Sequence, residues 1–245
     1  MTDPDPRLDV VLFDVDDTLY STTEFARRAR RNAVRAMIEV GFDATEEEAL
    51  QELSEVVAEF SSNYEHHFER LIDRMGRERL AGSNPAVVTA AGIVAYHRTK
   101  QTEMEVLPDA RALLDALRYA RVRTGVISAG LQVKQAEKLI RLRVLDYLDP
   151  RAIFFSDQMG VSKPNPKIFQ KACEALGVEP ARAMYVGDRA SHDVAPAAAV
   201  GMRTVLYRGA GGKYRAEAPE VGPDHDLTDL RDLIPVLREE YGLGL

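Results

Sequence analysis

The second half of the chain alternates short apolar runs with stretches of helical periodicity, and no other feature limits the possible folds as much. From Leu107 onward, the runs VRTGVIS, AIFFS, AMYVGD and RTVLY predict buried strands. The segments between them carry apolar residues at helical spacing. Strands that alternate with crossover helices form parallel sheets with helices on both faces. The sequence therefore predicts an α/β fold.

Residues 22–103 have a different character, because they show helical spacing without any strand-like alternation. Thr45 with Glu48 three residues later forms a capping-box pattern, which is typical of a helix start. Asn84 followed by Pro85 predicts a second start, since proline is favoured in the first turn of a helix. This region is predicted to form roughly four helices.

One strand precedes the helical region, and the remaining strands follow it. Residues 10–14 form an apolar run that predicts a buried strand. The helices are therefore an insertion into a single α/β domain. We assign residues 1–20 and 105–245 to an α/β core domain and residues 21–104 to an all-helical domain.

The composition of the chain limits the classes of partner that it is expected to bind. Of its 245 residues, 45% are hydrophobic and 29% are charged, which is ordinary for a globular protein. The net charge of −7 argues against nonspecific nucleic-acid binding, which requires a basic face. The longest apolar stretch has about 12 residues, too few to span a bilayer. Cys173 is the single cysteine and cannot form an internal disulfide, as expected in a reducing cytosol. We expect a cytoplasmic protein without membrane or nucleic-acid partners.

Polar residues follow the predicted strands at the points where the strands end. In parallel α/β sheets, ligands bind at the carboxyl ends of the strands. These residues are therefore expected to meet at one edge of the sheet. They are Asp14, Asp16, Ser128, Ala129, Gly130, Lys163, Asp188 and Asp193.

The residue types in this set indicate a reaction on an anion. Asp14 and Asp16 are two residues apart, so both point to the same side of an extended segment. One can act as a nucleophile and the other as a proton donor and acceptor. Asp188 and Asp193 add two more carboxylates, and such a cluster repels itself unless a divalent cation lies within it. Oxygen ligands favour Mg²⁺, and Lys163 supplies one positive charge.

Neighbouring polar residues offer competing interpretations. Strand parity turns Asp17 away from Asp14 and Asp16, which favours a structural or solvent-facing role. Lys167 is an alternative to Lys163, but it lies inside a predicted helix. Ser128 and the backbone N–H groups after it can hold further oxygens, as an anion-binding nest does.

Four segments, DVDDT, VISAG, SKPNP and VGDRASHD, resemble in this order the four motifs of the haloacid dehalogenase superfamily. The resemblance extends over nearly the whole chain. It implies a Rossmann-like core with a helical cap inserted between the first and second motifs. The segments EFARRARRNAVRAMIEVG, AYHRTK and VKQAEKLIRL further resemble an archaeal branch of this superfamily, the glyceraldehyde 3-phosphate phosphatases.

The resemblance implies a role for each motif residue. Asp14 attacks phosphorus, and Asp16 protonates the leaving oxygen and later deprotonates the water that hydrolyses the aspartyl-phosphate. Mg²⁺ is held by Asp14, the Asp16 carbonyl and Asp188, and by Asp193 directly or through water. Thr18 supports the loop that carries Asp16. Phosphate binding is assigned to Ser128, Ala129, Gly130, Thr18 and Lys163.

The expected function is that of a Mg²⁺-dependent phosphatase acting on a small phosphorylated metabolite, with glyceraldehyde 3-phosphate suggested by the archaeal branch. Phosphoglycolate, sugar phosphates and a phosphomutase reaction remain open. A metal-independent 2-haloacid dehalogenase is disfavoured, because Asp16, Asp188 and Asp193 are all present. A catalytically silent binding protein is disfavoured by the intact motifs. A homodimer is also possible.

Overall fold

The chain divides into two compact units in the computed structural model, which describes residues 7–61, 64–209 and 211–245. One unit contains Met1–Thr23 and Glu105–Leu245, and the other contains Glu24–Met104. The insertion therefore appears as a unit of its own. The assignment of the two units to a catalytic core and a cap stays a prediction.

A six-stranded parallel sheet forms the centre of the first unit, which confirms the predicted fold class. The strand order is β3-β2-β1-β4-β5-β6, so the order reverses at β1. A crevice for ligands opens at such a reversal, beyond the carboxyl ends of the strands. The strands are β1 (Val10–Phe13), β2 (Arg123–Ser128), β3 (Ile153–Phe155), β4 (Ala183–Gly187), β5 (Arg203–Tyr207) and β6 (His225–Leu227).

The register of the sheet brings the ends of its central strands to one edge. Phe13 of β1 pairs with Val126 of β2 and with Val186 of β4. The backbone N–H of Asp14 continues this ladder by donating to the Val186 carbonyl at 2.8 Å. Asp14 is thus fixed directly beyond the central strand.

The second unit is helical, as predicted, with α1 (Thr22–Glu39) entering it from the first unit. It continues with α2 (Glu46–Phe60), α3 (His67–Met75) and α4 (Pro85–Thr102). The Thr45–Glu48 capping box is present at the start of α2. The Asn84 side chain accepts from the Ala86 N–H at the start of α4. None of the helices in the described ranges combines the length and apolar character that crossing a membrane requires.

Helices connect the strands of the first unit and cover a core of aliphatic and aromatic side chains. Phe169 lies edge-on to Tyr185 in this core, with ring centroids 4.8 Å apart. Cys173 is buried in the same core. The helices are α5 (Pro108–Tyr119), α6 (Gln132–Arg141), α7 (Ser156–Met159), α8 (Lys167–Leu176), α9 (Ala195–Ala199) and α10 (Leu233–Glu239).

Candidate active site

Three carboxylates meet beyond the carboxyl ends of the central strands. Asp14, Asp188 and Asp193 are all buried, and each offers an oxygen that lies within 4.8 Å of the others. Asp14 follows β1 and Asp188 follows β4, which are neighbours in the sheet. The structure therefore brings together three of the predicted site residues from two separate parts of the chain.

Lys163 provides the positive charge of the cluster. Its Nζ donates to Asp14 Oδ1 at 2.6 Å and to Asp193 Oδ1 at 2.7 Å. It also donates at 3.0 Å to the hydroxyl of Tyr185, which in turn donates to the Ile127 carbonyl. The Lys163 side chain is only 5% exposed. This burial makes the ammonium a fixed part of the site.

One lysine does not neutralise the cluster. Burial raises the pKa of Asp14 to about 7, although the Lys163 charge opposes the change. Burial, reinforced by the charges of Asp14 and Asp193, raises the pKa of Asp188 to about 8. Burial lowers the pKa of Lys163, but Asp14 and Asp193 outweigh it and hold that pKa well above its usual value. Without a further cation, Asp14 and Asp188 therefore hold protons up to near-neutral pH.

A divalent cation fits this donor set. Within the described residues, the Asp188 side chain accepts no protein hydrogen bond, and Asp14 accepts only from Lys163. Both oxygens of Asp193 are engaged, because Oδ1 accepts from Lys163 and Oδ2 accepts from the Arg189 N–H at 3.0 Å. Carboxylate oxygens are the ligands that a hard cation prefers. Asp14 and Asp188 are therefore the best placed metal ligands, with Asp193 beside them.

The backbone after β4 positions Asp193. A π-helical turn over Ala190–Val194 follows β4 and leads into α9. This turn folds Asp193 back against the end of β4. A Cβ atom on Gly187 would lie 2.5 Å from Asp193 Cγ, so only glycine fits there. A π-helical turn is wider than an α-helical turn, because its hydrogen bonds span five residues instead of four.

Asp16 lies near this cluster but is held by a different set of donors. Lys138 Nζ is 2.7 Å from each of its carboxylate oxygens. The hydroxyls of Tyr20 and Thr22 donate to Oδ1, each at 2.8 Å. Burial raises the pKa of Asp16, but Lys138 and these hydroxyls outweigh it and leave the pKa below its usual value. These contacts therefore stabilise the ionised form of Asp16.

Of the remaining predicted phosphate-binding residues, some have polar groups without a partner among the described residues and others have groups that are already hydrogen-bonded. The Ser128 hydroxyl is buried and has no hydrogen-bond partner in the described part of the chain, which suits a group that awaits a phosphoryl oxygen. The Thr18 hydroxyl is likewise buried and unpaired among the described residues. The Ala129 carbonyl accepts from Gln135, and the Gly130 N–H already donates to Ser156 Oγ. Their roles in phosphate binding stay predictions, and that of the Gly130 N–H loses support.

Asp17 has its side chain outside the cluster. Its backbone is left-handed, with φ of +56°. Its carboxylate accepts from both the N–H and the hydroxyl of Thr23, at 3.0 and 2.8 Å. The first N–H groups of a helix lack intrahelical partners, so Asp17 stabilises the start of α1.

Sequence reasoning missed two residues of the site, Lys138 and Tyr185. Tyr185 precedes Asp188 by three residues on a strand that was read only as apolar. Lys138 lies in the segment VKQAEKLIRL, which was used only as a resemblance. The spacing of Gln135 and Lys138, three residues apart on one helix, was the available signal, since such residues share a helix face.

Comparison with known proteins identifies the class of this site. A model of the haloacid dehalogenase-like hydrolases matches residues 8–201, and the chain belongs to this family of hydrolases. Its sequence is 45% identical over 234 residues to the glyceraldehyde 3-phosphate phosphatase of Methanopyrus kandleri, with 94% of this chain and 97% of that protein covered. The predicted family and archaeal branch are thereby confirmed.

Two further relatives show the breadth of the similarity. The chain is 29% identical over 233 residues to the ribulose-1,5-bisphosphate 5-phosphatase of Halopiger xanaduensis, covering 91% of this chain and 96% of that protein. The crystal structure of an HAD phosphatase from Thermococcus onnurineus matches with a TM-score of 0.63 and 26% identity, over 96% of this chain and 100% of that chain.

Proposed function

We propose that the chain is a Mg²⁺-dependent phosphatase that hydrolyses glyceraldehyde 3-phosphate through an aspartyl-phosphate on Asp14. The observation that carries this proposal is the buried group of Asp14, Asp188 and Asp193, in which Lys163 contacts Asp14 and Asp193. The substrate is inferred from the name and the high coverage of the Methanopyrus kandleri relative. The helical unit, Glu24–Met104, would act as the cap of the site.

The residues divide the work in two half-reactions. In the first, an oxygen of Asp14 attacks phosphorus and the bond from phosphorus to the leaving oxygen breaks. Asp16, after taking up a proton from solvent, gives that proton to the leaving oxygen. In the second, Asp16 takes a proton from water as the water oxygen bonds to phosphorus and the bond to Asp14 breaks. Ser128 and Lys163 hold phosphoryl oxygens throughout.

Asp14 and Asp188 would hold the metal ion. The bound ion supplies positive charge that offsets the repulsion among the carboxylates and the phosphate. Lys163 alone leaves the pKa of Asp188 at about 8, so the protein's own charges do not complete the site. A haloacid dehalogenase reaction requires neither a metal nor a second acid, and Asp16 and Asp188 argue against it.

A substrate panel tests this proposal. We would measure kcat/KM with Mg²⁺ for glyceraldehyde 3-phosphate, phosphoglycolate, ribulose 1,5-bisphosphate and glucose 6-phosphate. Glyceraldehyde 3-phosphate should give the highest value, and the Asp14→Asn variant should release no phosphate from any of them. A higher kcat/KM for another ester would mean that this ester is the substrate, and the proposed phosphatase reaction would stand. Transfer of phosphate between sugar positions without its release would indicate a mutase.

A further inference from the structure

A lysine in the last turn of α6 contacts both carboxylate oxygens of Asp16. Lys138 Nζ lies 2.7 Å from both carboxylate oxygens, and its own side chain is 18% exposed. It also lies 5.9 Å from the centroid of the Tyr20 ring. A charged donor shared by both oxygens of a carboxylate restricts the rotation of that carboxylate. None of the four motifs contains this residue.

The two oxygens of Asp16 are not equivalent. Oδ1 accepts from Tyr20 and Thr22 at 2.8 Å, in addition to Lys138. Apart from Lys138, Oδ2 has a contact only with Gln135 among the described residues, and at 3.5 Å this contact is long. A carboxylate oxygen has two lone pairs, so the donors saturate Oδ1 and leave capacity on Oδ2. The arrangement therefore selects Oδ2 as the oxygen that can exchange a proton.

We propose that Lys138 is a positioning residue, which fixes the Asp16 carboxylate so that Oδ2 is presented for proton transfer. The inference rests on the proposed phosphatase function, since Asp16 moves a proton only in that reaction. In the hydrolytic half-reaction, one proton passes from water to Oδ2 while the water oxygen bonds to phosphorus. The bond from phosphorus to Asp14 breaks, and its electron pair returns to Asp14. Lys138 keeps its proton throughout.

The two half-reactions respond differently to a misplaced Asp16 when the substrate is p-nitrophenyl phosphate. p-Nitrophenolate is a stable anion and leaves without a proton, so formation of the aspartyl-phosphate does not need Asp16. Hydrolysis of the aspartyl-phosphate needs Asp16 with every substrate. Loss of Lys138 should therefore slow the second step and spare the first.

Stopped-flow release of p-nitrophenolate in the presence of Mg²⁺ separates these steps. In Lys138→Met, the rate constant of the burst should stay within about 3-fold of wild type, whereas steady-state turnover should fall by at least about 10-fold. Lys138→Arg, which keeps the charge, should restore part of that loss. Lys171→Met is the matched control, because Lys171 is an exposed lysine on α8 that contacts only the Met159 carbonyl among the described residues, and it should behave as wild type.

When hydrolysis of the aspartyl-phosphate is much slower than its formation, the burst amplitude counts the working sites, so a partly unfolded variant is recognised and corrected for. Burst and turnover falling by the same factor in Lys138→Met would overturn the role of Lys138, as would turnover within about 3-fold of wild type. An equal loss in Lys171→Met would also overturn it. Wild-type protein that releases no p-nitrophenolate, or an Asp14→Asn variant that retains turnover, would instead overturn the proposed function and this inference with it.

Discussion

Lys163 and Arg74 each contact more than one carboxylate, but the first group is buried and the second lies at the surface. Lys163 contacts Asp14 and Asp193 in the α/β unit, and its side chain is 5% exposed. Arg74 in the helical unit is 29% exposed and contacts acids that are 27% to 56% exposed. Its partners are Glu52, Glu55 and Glu59.

The difference shows that the free-energy cost of bringing charges together depends on whether they are buried. Exposed ion pairs gain little, because water and salt screen them, and they also cost little to form. Buried charges lose their hydration, and here one lysine does not compensate, since the pKa of Asp14 rises to about 7 and that of Asp188 to about 8. Strongly shifted carboxylates in a cleft are typical of functional sites.

Removal of Lys163 should have the largest effect of the variants that test this comparison. Lys163→Met leaves Asp14 and Asp193 buried without their cation, so we expect a loss of about 3 kcal/mol in the free energy of unfolding at neutral pH. The loss of a preorganised charge at the phosphoryl group should lower kcat by about 10²–10³-fold. Chemical denaturation and steady-state kinetics measure the two effects. Wild-type kcat in this variant would contradict the assignment of Lys163.

Magnesium should stabilise the protein more as the pH rises. The carboxyl pKa values of about 7 for Asp14 and about 8 for Asp188 exceed those of an unfolded chain, about 3.9. The folded state therefore binds these protons more tightly, and stability falls as the pH rises between about 4 and about 8. A cation replaces the protons, so saturating Mg²⁺ should raise the melting temperature by about 5 °C at pH 8 and by less at pH 5.

The matched control for this measurement is Asp188→Asn, which removes one ligand and one titrating group. Its melting temperature should depend less on pH and should respond weakly to Mg²⁺. A wild-type protein whose melting temperature is the same in Mg²⁺ and in EDTA at pH 8 would show that the cluster does not hold the ion.

Removal of Arg74 should have almost no effect, which completes the comparison with Lys163. Arg74→Met breaks three exposed contacts, and such contacts contribute little to stability. We expect the denaturation midpoint and kcat to remain close to wild type. A loss of stability as large as that of Lys163→Met would break the distinction between the two clusters.

Cys173 allows a test of whether a buried group with a raised pKa is necessarily functional. Burial raises the pKa of its thiol to about 11, with smaller contributions from Glu174 and Glu179. It lies in the apolar core rather than in a charged cluster. The native protein should therefore resist iodoacetamide at pH 8, whereas the unfolded protein should react fully. Cys173→Ala should retain wild-type kcat, and loss of activity would contradict a purely packing role.

The parts of this structure that sequence could predict are those set by neighbouring residues. The strands follow from apolar runs, and the capping box of Thr45 and Glu48 lies within one helical turn. The edge at which Asp14, Ser128 and Asp188 meet follows from the parallel topology. The strands and the capping box need no knowledge of distant contacts, and the shared edge needs only the general rule for parallel sheets.

Features that depend on distant or irregular contacts were not predictable. Lys138 and Asp16 are separated by 122 residues, so their contact depends on how α6 lies against the segment that follows β1. The π-helical turn at Ala190–Val194 depends on the space that Gly187 leaves for Asp193. The Gly130 N–H was expected to be available, but Ser156 of a neighbouring segment engages it.

The central claim is that Asp14 carries the phosphoryl group during turnover. Mixing the Mg²⁺-loaded enzyme with excess glyceraldehyde 3-phosphate, quenching in acid within the first turnover and analysing the peptides by mass spectrometry tests it directly. We predict one phosphoryl group on the peptide that contains Asp14, which disappears on hydroxylamine treatment and is absent from Asp14→Asn. Continued phosphate release with no phosphoryl group on this peptide, or wild-type turnover by Asp14→Asn, would contradict the account.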